Sequence, residues 1–254
     1  KKAPQQGKNV TVKGDLGQSA AGKTDKNGEL TVPEVEQTER HGVYIVGYTD
    51  GTFGPSRSMT RAEAAAIFAR LLAEKNGDTI STAANTKFAD IPAHAWYSGY
   101  VKYLSNNGIT YGKSKTIFAP NDAITRAEFT TLAVRFFDVY GDGDAEIMEQ
   151  FSGFNDVSSG YWAAKYIKYA ALHGWINGYG DGSFHAEREI NRAEVVTIVN
   201  RLLGREADED YIADNLRKLN TFPDVSRKHW AYYAVMEAAN AHTAVLGESE
   251  SWSK

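Results

Sequence analysis

The sequence contains no cysteine. That excludes disulfide frameworks, thiolate metal sites and cysteine nucleophiles. It has no apolar run approaching the ~20 residues a helix needs to cross a bilayer. Neither sign of charge dominates: 28 Lys and Arg stand against 32 Asp and Glu, which leaves no broad basic surface for nucleic acid. The six histidines (His41, His94, His173, His185, His229 and His242) are scattered without a metal-binding spacing such as H-E-x-x-H. They read as surface or capping residues, and neither a metal nor a cofactor is expected. The acidic run DGDAE at 142–146 lacks the spacing of an EF-hand. No isolated pair of carboxylates suggests a glycosidase, so the chain reads as non-catalytic. It begins at Lys1 with neither Met nor a leader, which suggests a fragment with an upstream domain.

What the chain has in quantity is aromatic: 14 Tyr, 11 Phe and 5 Trp. Many of these fall into a repeat. FADIPAHAW begins at Phe88, FNDVSSGYW at Phe154 and FPDVSRKHW at Phe222. Each has Asp two residues after Phe and ends at a Trp: Trp96, Trp162 and Trp230. A second element reads GYTDGTF from Gly47, GKSKTIF from Gly112 and GYGDGSF from Gly178. A third reads SMTRAE at 58–63, AITRAE at 123–128 and EINRAE at 189–194, with its arginines 65 and 66 residues apart. Such periodicity marks a repeat architecture. The copies are out of phase with the chain ends. Two units are complete, and half-units lie at 43–73 and 222–254. The expected divisions are a linker or tail over 1–42, a half-unit and spacer over 43–87, units with spacers over 88–153 and 154–221, and the closing half-unit over 222–254, pairing with 43–73. Within 1–42, NVTVKG and ELTVPEV are short-strand candidates. The spacers 138–153 and 204–221 read as solvated connections, the second with a helical turn in YIADNLRKL.

Each unit predicts helix–loop–helix. In WAAKYIKYAAL (162–172) apolar residues recur near the helical period, and Gly174 follows as a stop. In NRAEVVTIVNRLLG the aliphatic residues form a wide stripe closed by Gly204. Thr60 with Glu63, Thr125 with Glu128, and Asn191 with Glu194 have capping-box spacing. Phe88, Phe154 and Phe222, with Trp96, Trp162 and Trp230, read as core anchors that seat the first helix, with sugar stacking as the lesser alternative. Capping does not explain Arg61, Arg126 and Arg192. Each falls in a first helical turn, where the dipole disfavours a cation. An anion must lie nearby: an internal Asp (Asp50, Asp181, Asp90, Asp156 or Asp224), or an acidic ligand. Asp-Gly turns also offer backbone amides that can receive an anion.

Together, Phe-x-Asp-Val, the Trp, the Gly-Tyr-x-Asp-Gly-x-Phe loop and the x-Arg-Ala-Glu helix start closely resemble the S-layer homology domain of bacterial surface proteins, over about residues 43–242. The resemblance implies a mainly α fold of three helix–loop–helix modules in a pseudo-threefold arrangement around a central helix bundle, after an irregular or short-strand N-terminal tail. It implies an extracellular, wall-associated place on the bacterial surface, with self-association in a surface layer as one prospect. The implied function is non-covalent anchoring to secondary cell wall polysaccharide, an acidic pyruvylated glycan. The alternatives are a peptidoglycan anchor and a helical protein-interaction module. Carried over by position, one implied site holds Arg61, Asp50 and Gly51, and another holds Arg192, Asp181 and Gly182. Arg126 belongs to a unit whose loop carries Lys113 and Lys115 in place of Asp-Gly, so three equal sites are not expected.

Overall fold

The computed structural model describes residues 37–140, 153–246 and 250–253, together with the backbone of three short strands before them. The strands are β1 (Asn9–Lys13), β2 (Ser19–Thr24) and β3 (Leu30–Thr31), an antiparallel sheet with Asn9 opposite Lys23 and Thr24 opposite Leu30. β1 and β3 fall on the two segments expected to form strands, while β2 had no alternating pattern to announce it. The rest of the expected N-terminal linker up to residue 36, the DGDAE run and most of the first spacer lie outside the described residues.

The described residues contain seven α-helices: α1 (Arg61–Asn76), α2 (Ser98–Asn106), α3 (Arg126–Tyr140), α4 (Ala164–Leu172), α5 (Arg192–Leu203), α6 (Glu209–Asn215) and α7 (Tyr232–Ala239). The long helices α1, α3 and α5 form the central bundle. Each begins with a capping box. For α1, Thr60 Oγ1 accepts from the Glu63 amide while Glu63 accepts from the Thr60 amide. Thr125 with Glu128, and Asn191 with Glu194, repeat the exchange. Gly77 and Gly204 end α1 and α5 in the left-handed conformation. The short helices α2, α4 and α7 pack on α1, α3 and α5 respectively.

The bundle is closed by a cycle of backbone hydrogen bonds. Met59 N donates to Ile190 O, Ile190 N to Ile124 O, and Ile124 N to Met59 O. Around this triangle, the first amides of each long helix donate to carbonyls of the next module. Arg61 N reaches Asp122 O, Arg126 N reaches Arg188 O, and Arg192 N reaches Arg57 O. Helix-start amides that lack an intrahelical partner are thus satisfied between modules.

The Phe-x-Asp elements hold the loops in place. Asp90 accepts from the amides of Phe118 and Ala119, Asp156 from Phe184 and His185, and Asp224 from Phe53 and Gly54. Alongside, Phe88 packs on Phe118, Phe154 on Phe184, and Phe222 on Phe53, with ring centroids 5.2–5.5 Å apart. The third set joins the two ends of the chain. There β4 (Gln37–His41) also pairs with β5 (His242–Leu246), which continues to β6 (Ser251–Ser253).

Several expectations need correction. The polar tail expected through residue 42 gives way to ordered strand at Gln37. The run READED is not simply a solvated connection. Arg205 is buried, and Asp208 caps α6 through the Tyr211 amide while accepting from Trp252 N. His41 and His242 are buried rather than superficial, because the β4–β5 register sets them opposite each other.

Candidate functional site: three grooves between modules

Each helix-start arginine crosses to the neighbouring module. Arg61 Nε donates to Phe118 O at 2.7 Å, Arg126 Nε to Phe184 O at 2.8 Å, and Arg192 Nε to Phe53 O at 2.8 Å. The anion facing each one is the capping-box glutamate of the next long helix. Arg61 meets Glu128 at 3.2 Å, Arg126 meets Glu194 at 3.2 Å, and Arg192 meets Glu63 at 3.5 Å. None of the five aspartates expected as partners fills this role. The glutamate works twice: one oxygen caps its own helix and the other faces the preceding module's guanidinium. The arginine is tolerated at the positive end of its helix because carbonyls and a carboxylate converge there from the adjacent module. All three arginines are at least nine-tenths buried. Burial holds the pKa of Arg126 and Arg192 below the usual guanidinium value, against the pull of nearby tyrosine and glutamate.

A groove opens beside each guanidinium. The first, of about 430 Å³, includes Arg61, Lys113, Glu128, Arg135 and Trp162 in its walls. The second, of about 230 Å³, includes Arg126, Tyr179, Glu194, Arg201 and Trp230. The third, of about 270 Å³, includes Arg192, Tyr48, Glu63, Arg70 and Trp96. They are three versions of one site. Arg135, Arg201 and Arg70 each lie nine residues after a helix-start arginine. This second arginine was missed in the sequence, although its fixed offset was visible there. Lys113 stands where the other grooves have Tyr179 and Tyr48. In those two, the guanidinium lies over the tyrosine ring, at 5.3 Å for Arg126 and 4.6 Å for Arg192. In the first groove Lys113 is instead 3.7 Å from Glu128.

The tryptophans overturn their expected role. Trp96, Trp162 and Trp230 are 54%, 53% and 65% exposed, and one stands at each groove. The short helices are seated by residues one, five and eight positions later. These are Tyr97, Val101 and Leu104; Ala163, Ile167 and Ala170; and Ala231, Val235 and Ala238, all buried. The Phe residues of the same elements do pack as described above.

The expected grouping of arginines with loops is also corrected. Arg61 meets the loop bearing Lys113 rather than Asp50 and Gly51, and Arg192 meets the loop bearing Asp50 rather than Asp181 and Gly182. Asp50 and Asp181 line none of the three grooves. They shape their own turns by accepting from the amide and hydroxyl of Thr52 and Ser183, which draws both carboxyl pKa values down. Gly51 and Gly182, at φ near +82° and +81°, supply the left-handed turn position that favours glycine. Lys115 is exposed at the loop tip, outside the groove walls.

A closed ring of three helical modules with a like groove at each junction defines a modular helical repeat protein. Comparison with known families matches residues 31–65, 87–130 and 153–196 to the S-layer homology domain; the chain belongs to this family. It is therefore a wall-associated anchoring region of the bacterial cell surface. Among similar proteins, Cell surface glycoprotein 1 of Acetivibrio thermocellus is 34% identical over 83% of this chain and 9% of its own length. The Cellulosome-anchoring protein of the same organism is 30% identical over 91% of this chain and 49% of its own length. The Surface-layer 125 kDa protein of Lysinibacillus sphaericus is 32% identical over 63% of this chain and 13% of its own length. The chain thus spans half or less of these relatives. No described helix is long and apolar enough to cross a membrane.

Proposed function

We propose that the three grooves bind an acidic, pyruvylated secondary cell wall polysaccharide and so anchor a longer surface protein to the wall. The observation that carries this reading is the exposed tryptophan paired with fixed cations in each groove. The apolar face of a sugar ring can stack on an indole, which combines an apolar body with a polar edge. The buried guanidiniums are already answered by glutamate, so a ligand carboxylate would meet the outer cations. Lys113 and Arg135 make the first groove the most receptive to it. A charge-assisted hydrogen bond contributes about 1.5–3 kcal/mol, which is weak for one site. Three grooves engaging one polymer raise the apparent affinity without new contacts. We also read the half-units 43–73 and 222–254 as one module; the Asp224 bonds to Phe53 and Gly54 support that reading. The anchoring role named for the cellulosome-anchoring relative is consistent with it.

Co-sedimentation with purified walls tests the proposal. The double variant K113A/R135A and the single variant W162A should each weaken binding about tenfold or more, at unchanged helicity. Extraction of the acidic polymer from the walls should abolish binding by the native chain. Full binding after extraction would instead favour peptidoglycan as the ligand. Unchanged binding by both variants would remove the groove assignment.

A further inference from the structure

Away from the grooves, four side chains converge where the two ends of the ring meet. His41 ends β4, Glu237 belongs to α7, His242 begins β5, and Glu250 precedes β6. His41, Glu237 and His242 are buried, and the side chain of Glu250 is 5% exposed. Their ligating atoms all lie within 4.8 Å of one another. His41 Nδ1 is 3.2 Å from His242 Nε2, 3.3 Å from Glu237 Oε1 and 3.2 Å from Glu250 Oε1. His242 Nε2 is 3.3 Å from Glu237 Oε2 and 3.3 Å from Glu250 Oε1.

We propose that His41, Glu237, His242 and Glu250 bind one divalent transition-metal ion of the zinc class. Three donors, His41 Nδ1, His242 Nε2 and Glu250 Oε1, form a triangle with edges of 3.2–3.3 Å, and Glu237 turns one oxygen toward each imidazole. Nitrogen and oxygen donors about 2.0–2.1 Å from a tetrahedral zinc stand ~3.3 Å apart along each edge. The groups behind these side chains hold them in the same orientation. His242 Nδ1 faces the carbonyl of Asn240 at 3.0 Å. A carbonyl only accepts, so that nitrogen carries the proton and the Nε2 lone pair points into the cluster. His41 turns its Nε2 toward Glu39, 3.9 Å away, and its Nδ1 inward. Glu250 is oriented by the Glu206 amide and Trp252 Nε1, and Trp252 stacks on the His242 ring. Partners of this kind fix ligand orientation around metals.

Glu237 makes the strongest case. It is fully buried, neither carboxylate oxygen makes a hydrogen bond, and its close polar neighbours are the two imidazoles, 3.3 Å away. With both imidazoles neutral, a carboxylate buried there has no compensating charge and is strongly disfavoured. Two neutral imidazoles and two carboxylates leave two negative charges, which a divalent cation cancels. Glu39 and Arg205, the latter acting on His41, bring one further charge of each sign and leave that balance unchanged. Imidazole donors select zinc and its neighbours over calcium and magnesium, which take oxygen ligands. Four protein ligands in a closed pocket make the ion structural. It would clasp the entry strand to the closing half-unit by joining His41 and His242, 201 positions apart in sequence.

The full chain, purified without an affinity tag or chelator, tests this. Elemental analysis should find one zinc per chain. Stripping with a chelator should lower the Tm by several degrees, with recovery on adding zinc but not magnesium or calcium. Cobalt(II) added to the stripped chain should give the intense visible absorption of a tetrahedral site. E237Q and H242Q should bind zinc at least 100-fold more weakly. A stripped native chain that shows neither a zinc-dependent Tm nor the cobalt spectrum would overturn the proposal and assign the cluster to protons alone. Those two measurements decide the matter even if a variant fails to fold.

Discussion

The inter-module ion pairs make a quantitative claim about stability, and Glu194→Gln isolates it. Glu194 Oε2 accepts from the Asn191 amide at 3.0 Å, and Oε1 faces Arg126 and Arg188. Glutamine keeps an oxygen for the cap, since Gln also serves at that position, but it removes the charge. Arg126, with a side chain only 6% exposed, is then left with the carbonyls of Phe184 and Asn177. Breaking a buried pair by removing one partner costs about 3–5 kcal/mol. Glu194 keeps 17% exposure, so the lower end applies, at ~2–3 kcal/mol after allowing for solvent screening. For a chain of this size each kcal/mol moves the midpoint by ~2–4 °C, which gives a fall of roughly 4–12 °C by circular dichroism. Glu189→Gln, at an exposed residue bonded to Ser58, is the control and should shift the midpoint by less than about 1 °C. A double cycle with Arg126→Met should show coupling of ~1–3 kcal/mol. If E194Q behaves like the control, or the two changes simply add, the glutamate does not anchor the guanidinium.

Two further outcomes follow from the loop anchors. A Cβ at Gly178 would lie 2.4 Å from the Phe154 ring and 2.7 Å from Ser183 O, whereas one at Gly180 meets nothing within 4 Å. Calorimetry should therefore find Gly178→Ala destabilised by ~1–3 kcal/mol and Gly180→Ala near neutral; equal effects would refute the close-approach account. Partial burial raises the Asp156 pKa, but the amides of Phe184 and His185 outweigh it, and the net pKa is lowered. Its contribution is therefore fully present above the unfolded value of ~3.9 and is lost as pH falls through the lower folded value. Asp156→Asn should reduce stability at neutral pH and flatten this acid loss in urea titrations; an unchanged acid limb would contradict the assignment.

Local chemistry was legible in the sequence, and geometry between modules was not. Capping boxes, glycine stops and helix stripes involve residues three to five apart, so the spacing of Thr60 and Glu63 states their contact directly. The contact between Arg61 and Glu128 depends on how one module turns against the next, which no local pattern encodes. An aromatic residue just before a helix looks the same whether it faces in or out. The exposure of Trp96 is decided by Tyr97, Val101 and Leu104 occupying the interior instead. His41 and His242 carry no recognisable spacing because a strand pairing, rather than one helix face, brings them together.

The triangle of Met59, Ile124 and Ile190 imposes an order on biosynthesis. A contact between residues 131 positions apart forms late and slowly, since the intervening chain must first be made and its ends brought together. A product interrupted before Phe222 would lack the Asp224 carboxylate for the Phe53 and Gly54 amides, and the second groove would lack Trp230. Prematurely terminated copies therefore cannot display all three complete grooves.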